Sequence, residues 1–116
     1  MPTRLYGISH CDTVKKARAF LRERDLAFDF IDFKANGVPR ESLALWVAAL
    51  GWEALLNRRG TTWRQLDAAA RAGVTDAASA ERLMIQQPSV IKRPVVEWAD
   101  GRITVGFDAA QWAGAG

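Results

Sequence analysis

"RLYGISHCDTVKKARAFL", Arg4 to Leu21, changes its hydrophobic period once, and the change falls at a cysteine. Arg4 to Ile8 is short, apolar and aromatic and stops at the turn-forming Ser9, the pattern of a buried strand. From Asp12 the period lengthens. Val14, Ala17 and Leu21 recur at i, i+3 and i+7, while Lys15, Arg18, Arg22 and Glu23 fall mostly elsewhere on the wheel, so a helix follows. "AFDFIDF", Ala27 to Phe33, then alternates Phe28, Phe30 and Asp32 against Asp29, Ile31 and Phe33 and reads as a second strand. Strand, helix, strand is a βαβ unit, and its crossover is expected to be right-handed.

Beyond this unit, Asn36-Gly37 breaks the chain and Pro39 stands where a first helical residue belongs. Leu43, Trp46, Val47 and Leu50 trace a helical stripe closed by Gly51. "WEALLN" predicts another helical turn. "TTWRQLDAAARAG" and "TDAASAERLMIQQP" predict two further helices, each opened by a threonine and closed by Gly73 or Pro88. "PVVEW" and "RITVGF" return to strands and flank Ala99-Asp100-Gly101, a hairpin signal, after which Asp108 caps a short helix through Trp112. The order β-α-β, helical insert at about 38–88, then β-β-α predicts one α/β domain over residues 1–116. Without the insert it is the thioredoxin plan, a mixed four-stranded sheet with helices packed on its faces.

The 116 residues suit one core, and 49% hydrophobic with 25% charged residues is ordinary globular composition. A net charge of +3 with scattered arginines and no basic run is a weak signal for nucleic acid and suits small anionic partners at least as well, so no nucleic-acid partner is expected. No run approaches bilayer length and the start lacks a signal-peptide core, so no membrane partner and a reducing cytoplasm are expected. The single cysteine excludes a disulfide within this chain and a thiol-rich zinc site, and no bound cofactor or metal is expected.

Cys11 therefore carries the chemical question. One reading is a buried apolar filler, since free cysteine is among the most buried residue types. The other is a reactive thiol. Cys11 falls between strand and helix beside polar Ser9, His10 and Asp12, where unpaired N–H groups and the helix dipole favour a thiolate. An ordinary cysteine is only about 3% ionised at pH 7, so such help matters. Lys15 and Lys16 are cations at the helix end that usually carries acids, which fits an anion nearby, although solvated lysines explain them too. His10 is the one histidine and a candidate proton shuttle.

"YGISHCDTVKKARAFL", "LLNRRGTTWRQL", "MIQQPSVIKRPVV" and "ITVGF", in this order over nearly the whole chain, resemble the arsenate reductase-like (ArsC) family. The branch of small YffB proteins fits best, and the Spx regulators are more distant cousins. The resemblance implies a thioredoxin-like fold with a helical insert, a nucleophilic cysteine at Cys11, and arginines that hold an oxyanion or glutathione. It places the arginine of the family's "RP" motif at Arg93 and its cis-proline at Pro94. Two positions depart from the pattern. Asn57 stands where arsenate reductases of this branch carry an arginine after the "LL" pair, with Arg59 the nearest substitute, and Val105 or Gly106 stands where another arginine follows the hairpin.

With one cysteine, a redox cycle passes through a mixed disulfide with an external thiol. The expected function is a glutathione-dependent thiol–disulfide reductase. Cys11 would be its nucleophile, with Arg93, Pro94, Arg59, Lys15 and His10 around glutathione, and an oxidised protein or small disulfide would be the substrate. The alternatives are an arsenate reductase resolved by glutathione or glutaredoxin, and an Spx-like regulator that binds RNA polymerase without catalysis.

Overall fold

β1 (Thr3–Gly7) is an inner strand of a four-stranded sheet of order β2-β1-β3-β4 in the computed structural model, which describes residues 2–113. Asp12–Glu23 forms α1, and β2 (Phe28–Asp32) pairs parallel to β1 with Thr3 opposite Phe28 and Gly7 opposite Asp32. β3 (Val95–Glu97) runs antiparallel to β1, with Leu5 opposite Val96, and β4 (Ile103–Val105) antiparallel to β3. A short α2 (Phe33–Asn36) follows β2. Between it and β3 come α3 (Arg40–Leu50), α4 (Trp52–Leu55), α5 (Thr61–Gln65), α6 (Ala68–Ala72), α7 (Ala77–Gln86) and a 3-10 turn at Pro88–Val90, and α8 (Ala109–Trp112) ends the described chain. A mixed sheet flanked by helices, with a helical insertion between its halves, is the thioredoxin-like α/β fold that the element order predicts.

The chain divides into two compact units. The first, residues 2–35 with 93–113 of the described chain, holds the sheet. Its core joins Leu5 and Val96 from the inner strands to Val14, Ala17 and Leu21, the helical stripe of α1, and to Trp98 and Trp112. Phe107 and Trp112 meet edge to face at 4.8 Å, Trp98 and Trp112 at 5.0 Å, a geometry that puts a ring's positive edge on a neighbour's negative face. Asp108 brings Trp112 in by accepting the Ala110 and Gln111 N–H groups at the start of α8. Tyr6 is also buried and stacks on Phe33 at 6.3 Å.

The second unit, Asn36–Lys92, is the helical insertion. α3, α4 and α7 pack on one another, with Leu43, Trp46, Leu55, Ala80 and Met84 buried. A bridge between Leu56 and Ile91 ties its ends together, flanked by Lys92 N–H on the Leu55 carbonyl (2.7 Å) and Asn57 N–H on Val90 (2.8 Å).

Local chemistry shifts several expected boundaries. β1 spans Thr3–Gly7 rather than Arg4–Ile8. β2 stops at Asp32 because its carboxylate accepts the Lys34 N–H at 2.8 Å and turns Phe33 into α2. Pro39 is the N-cap of α3, one residue earlier than the first helical position, and the stripe buries Leu43 and Trp46 but leaves Val47 and Leu50 half-buried. "TTWRQLDAAARAG" is two helices, not one, since Asp67 takes the Ala70 N–H (2.7 Å) and starts α6. α7 opens at Asp76 rather than Thr75, through a reciprocal capping box with Ser79. No helix among the described residues is long and apolar enough to cross a membrane.

Candidate functional site

Cys11 is the N-cap of α1, with extended backbone (φ −75°, ψ 124°). Its N–H closes a turn onto the Ile8 carbonyl (3.1 Å), and its own carbonyl accepts the Lys15 N–H (2.9 Å), the first bond of the helix. α1 comes close to β1 because residue 7 is glycine: a Cβ there would lie 2.7 Å from Val14 Cγ2. The strand end, the turn and the helix start thus hold Cys11 from three directions. Its side chain packs half-buried against the Leu5–Val14–Trp112 core.

Cys11 makes no short side-chain cap of the kind serine or aspartate makes. The larger sulfur still lies where the Val14 and Thr13 N–H groups and the Arg93 side chain all favour its anion. Partial desolvation is the largest single influence on the thiol and pushes it up. The Val14 N–H, the hydrogen bond and charge of Arg93, and the Thr13 N–H together outweigh it, and the thiol is held below its ordinary value.

This shift has a stability consequence of definite sign. Between its lowered folded value and the ordinary value of about 8.5, the unfolded chain binds more protons at Cys11 than the folded one, so stability rises with pH there. The gap in urea stability between the native protein and Cys11→Ala should therefore be wider at about pH 9 than at about pH 5. A gap that narrows on raising the pH would mean the thiol is held up, not down.

Arg93 reaches this site from two residues before β3, and the Arg93–Pro94 bond is cis. Pro94 is buried, and its carbonyl accepts the Gly106 N–H (2.9 Å), which ties the end of β4 to the same place. The structure therefore brings Cys11, Arg93 and Pro94 into one unit of the chain. His10, Lys15 and Lys16 are exposed, and the cation that acts on the thiol is Arg93. Arg59 belongs to the other unit, where its side chain is exposed and its N–H meets Asn57 Oδ1 (3.2 Å). Arg102 pairs with Asp100 (2.7 Å), and Arg58 lies over the Trp52 ring (5.6 Å).

Sequence reasoning missed the Thr13 and Val14 amides and the role of Gly7, which depend on how closely α1 approaches β1. It also missed Asp32, whose carboxylate accepts the Lys34 N–H (2.8 Å) where β2 ends. An aspartate two residues before a free backbone N–H at a strand end is a local signal that could have marked it.

The ArsC family model matches residues 6–115. A solved structure of a YffB protein is 52% identical, with 97% of each chain covered and a TM-score of 0.91. The solution structure of an arsenate reductase (ArsC) related protein from Brucella melitensis is 46% identical over 97% of this chain and 92% of its own, with a TM-score of 0.75. An uncharacterised protein of Haemophilus influenzae is 33% identical over 111 residues, 96% of each chain.

Proposed function

Because the chain belongs to the ArsC family, which contains thiol-based reductases, we propose that it is a glutathione-dependent thiol–disulfide reductase with Cys11 as nucleophile. The observation that carries this reading is the convergence of the Val14 and Thr13 amides and Arg93 on one half-buried sulfur. A thiolate is the nucleophile in disulfide exchange, and this arrangement raises its population near neutral pH.

In the first step the Cys11 thiolate attacks the glutathione sulfur of a mixed disulfide between glutathione and a protein or a small thiol. A sulfur–sulfur bond forms to Cys11, the old one breaks, and the other half leaves as a thiolate that takes a proton from water. In the second step the thiolate of a further glutathione attacks the glutathione sulfur of the mixed disulfide, releasing oxidised glutathione and the Cys11 thiolate. One free glutathione is consumed for each disulfide reduced, and the other half of the oxidised glutathione comes from the substrate. Arg93 assists twice. It stabilises the resting thiolate, and its planar guanidinium matches the geometry of a glutathione carboxylate. Lys15 adds positive charge at the exposed start of α1.

Incubation with oxidised glutathione followed by intact-mass measurement tests the proposal. The native protein should gain the mass of one glutathione, removable by dithiothreitol, and Cys11→Ser should gain none. A native protein that stays unmodified while free cysteine in the same buffer reacts would refute it.

A further inference from the structure

Within the helical insertion, α3 and α7 leave a groove between them of about 470 Å³, within the size range of ligand pockets. Arg40 and Leu43 line it three residues apart on α3. Ala78, Glu81, Arg82 and Ile85 line it from α7 at i, i+3, i+4 and i+7, a single helix face. Ala80 and Met84, elsewhere on α7, are buried in the insertion, so the groove face is a second face of that helix. Leu43 is buried at the floor and Ile85 half-buried, while Arg40 and Arg82 are exposed on the two walls.

The chain makes no use of these two arginines itself. Neither forms an ion pair or a hydrogen bond among the described residues. No acid stands three or four residues from Arg40 or from Arg82, the spacing at which helix side chains pair. Asp76, at the start of α7, already takes the Ser79 N–H (2.9 Å) and hydroxyl (2.7 Å) as the helix cap. Glu81 is the one acid of the lining against two cations, which leaves the groove positive.

We propose that this groove docks a short acidic segment of a partner protein. An aliphatic side chain of the segment enters against Leu43, Ala78 and Ile85, and carboxylates on either side of it meet Arg40 and Arg82. The charge of the walls selects the occupant. A basic segment is repelled, whereas guanidinium is weakly hydrated and forks onto carboxylates. The cations stand on different walls, so a segment with acids flanking an aliphatic residue engages both and covers the apolar floor as well. The groove belongs wholly to the insertion, and the proposal does not depend on the reading of Cys11.

The experiment titrates a capped peptide, Gly-Asp-Glu-Leu-Leu-Glu-Asp-Gly, into the full isotope-labelled chain and follows the amide resonances. Shifts should concentrate in α3 and α7, leave Leu5 and Val96 unmoved, and saturate with a Kd on the order of 100 μM, as in transient recognition. Arg40→Glu and Arg82→Glu should each weaken binding roughly three- to tenfold, since each turns an exposed attraction into a repulsion. Ala78→Phe fills the groove without changing its charge and should abolish the shifts. Arg64→Glu makes the same charge change at an exposed position of α5 outside the groove, and should alter the Kd by less than about twofold, because salt screens distant exposed charges. Thermal melts check that every variant is folded.

No shift at about 1 mM peptide would overturn the proposal. So would equal weakening by Arg64→Glu, or equal binding of a peptide with serines in place of its leucines, since either means diffuse attraction to a basic protein. Shifts in α3 and α7 that grow with protein concentration alone would assign the groove to a second copy of the chain. Hexanoate binding as tightly as the peptide would make it a small-carboxylate site. Both results also overturn the proposal.

Discussion

Arg93→Met should slow alkylation of Cys11 at pH 7 on the order of tenfold or more, the range expected when an opposite charge within hydrogen-bond reach is removed. The substitution keeps an unbranched side chain of similar length and takes away both the guanidinium charge and its hydrogen bond to the sulfur. Desolvation, the largest single influence on the thiol, then faces only the Val14 and Thr13 amides. The titration midpoint moves up and the thiolate fraction at neutral pH falls. Well above the ordinary cysteine value both proteins are ionised and their rates should converge, with the variant thiolate slightly the more nucleophilic. That convergence separates a pKa effect from a blocked site, which would stay slow at every pH. Arg93→Lys restores a charge but not a planar fork, so its alkylation rate should fall between the two while glutathione adduct formation stays weakened. An unmoved midpoint in Arg93→Met would leave the helix amides as the whole cause of activation.

The parts of this arrangement that are local were legible before the structure. The period change across Arg4–Leu21 identified β1 and α1, and Ala99-Asp100-Gly101 identified the turn between β3 and β4, where Gly101 takes φ 94°. Asp108 was readable as a cap because it acts two and three residues ahead. Asp67 was not, because a propensity reading carries an alanine-rich run through one aspartate, whereas that side chain accepts the Ala70 N–H and begins a new helix. The placing of Asp32 opposite Gly7, beside the turn that leads to Cys11, depends on the register of two parallel strands. Strand periodicity shows which face a residue takes but not its partner. Arg93 and Cys11 meet only through the antiparallel return of β3 onto β1. Residue type alone marked Lys15 and Lys16 as readily as Arg93, and it was the family resemblance that singled out the arginine.

With arsenate as the oxidant, even with glutathione and glutaredoxin supplied, turnover should be slower than glutathione exchange, because each missing preorganised donor costs about 3–4 kcal/mol, or roughly 100- to 1000-fold, in the rate of the step that it serves. Attack on arsenate brings an anionic sulfur onto an anionic centre, and fixed positive charge must be in place where the extra charge develops. Arg93 is the cation that acts on the sulfur here. Arg102 is drawn to Asp100 at 2.7 Å, and Arg58 rests over Trp52, so each already has an interaction of its own. Asn57 has no charge to offer and spends its side-chain oxygen on the Arg59 N–H. Of the two positions after the hairpin where an arginine is missing, Gly106 has φ 83° and resists any side chain, which leaves Val105 as the place to restore one. Disulfide exchange spreads a single negative charge along three sulfurs and needs less of a clamp. Val105→Arg should therefore speed arsenate reduction more than disulfide exchange, and the ratio of the two rates, measured on one preparation, is the diagnostic quantity. Arsenate turnover by the native protein at about 1 s⁻¹ or faster, the ordinary range for enzymes, would instead make it an arsenate reductase. Arg59 would then be the first residue to substitute in search of the second cation.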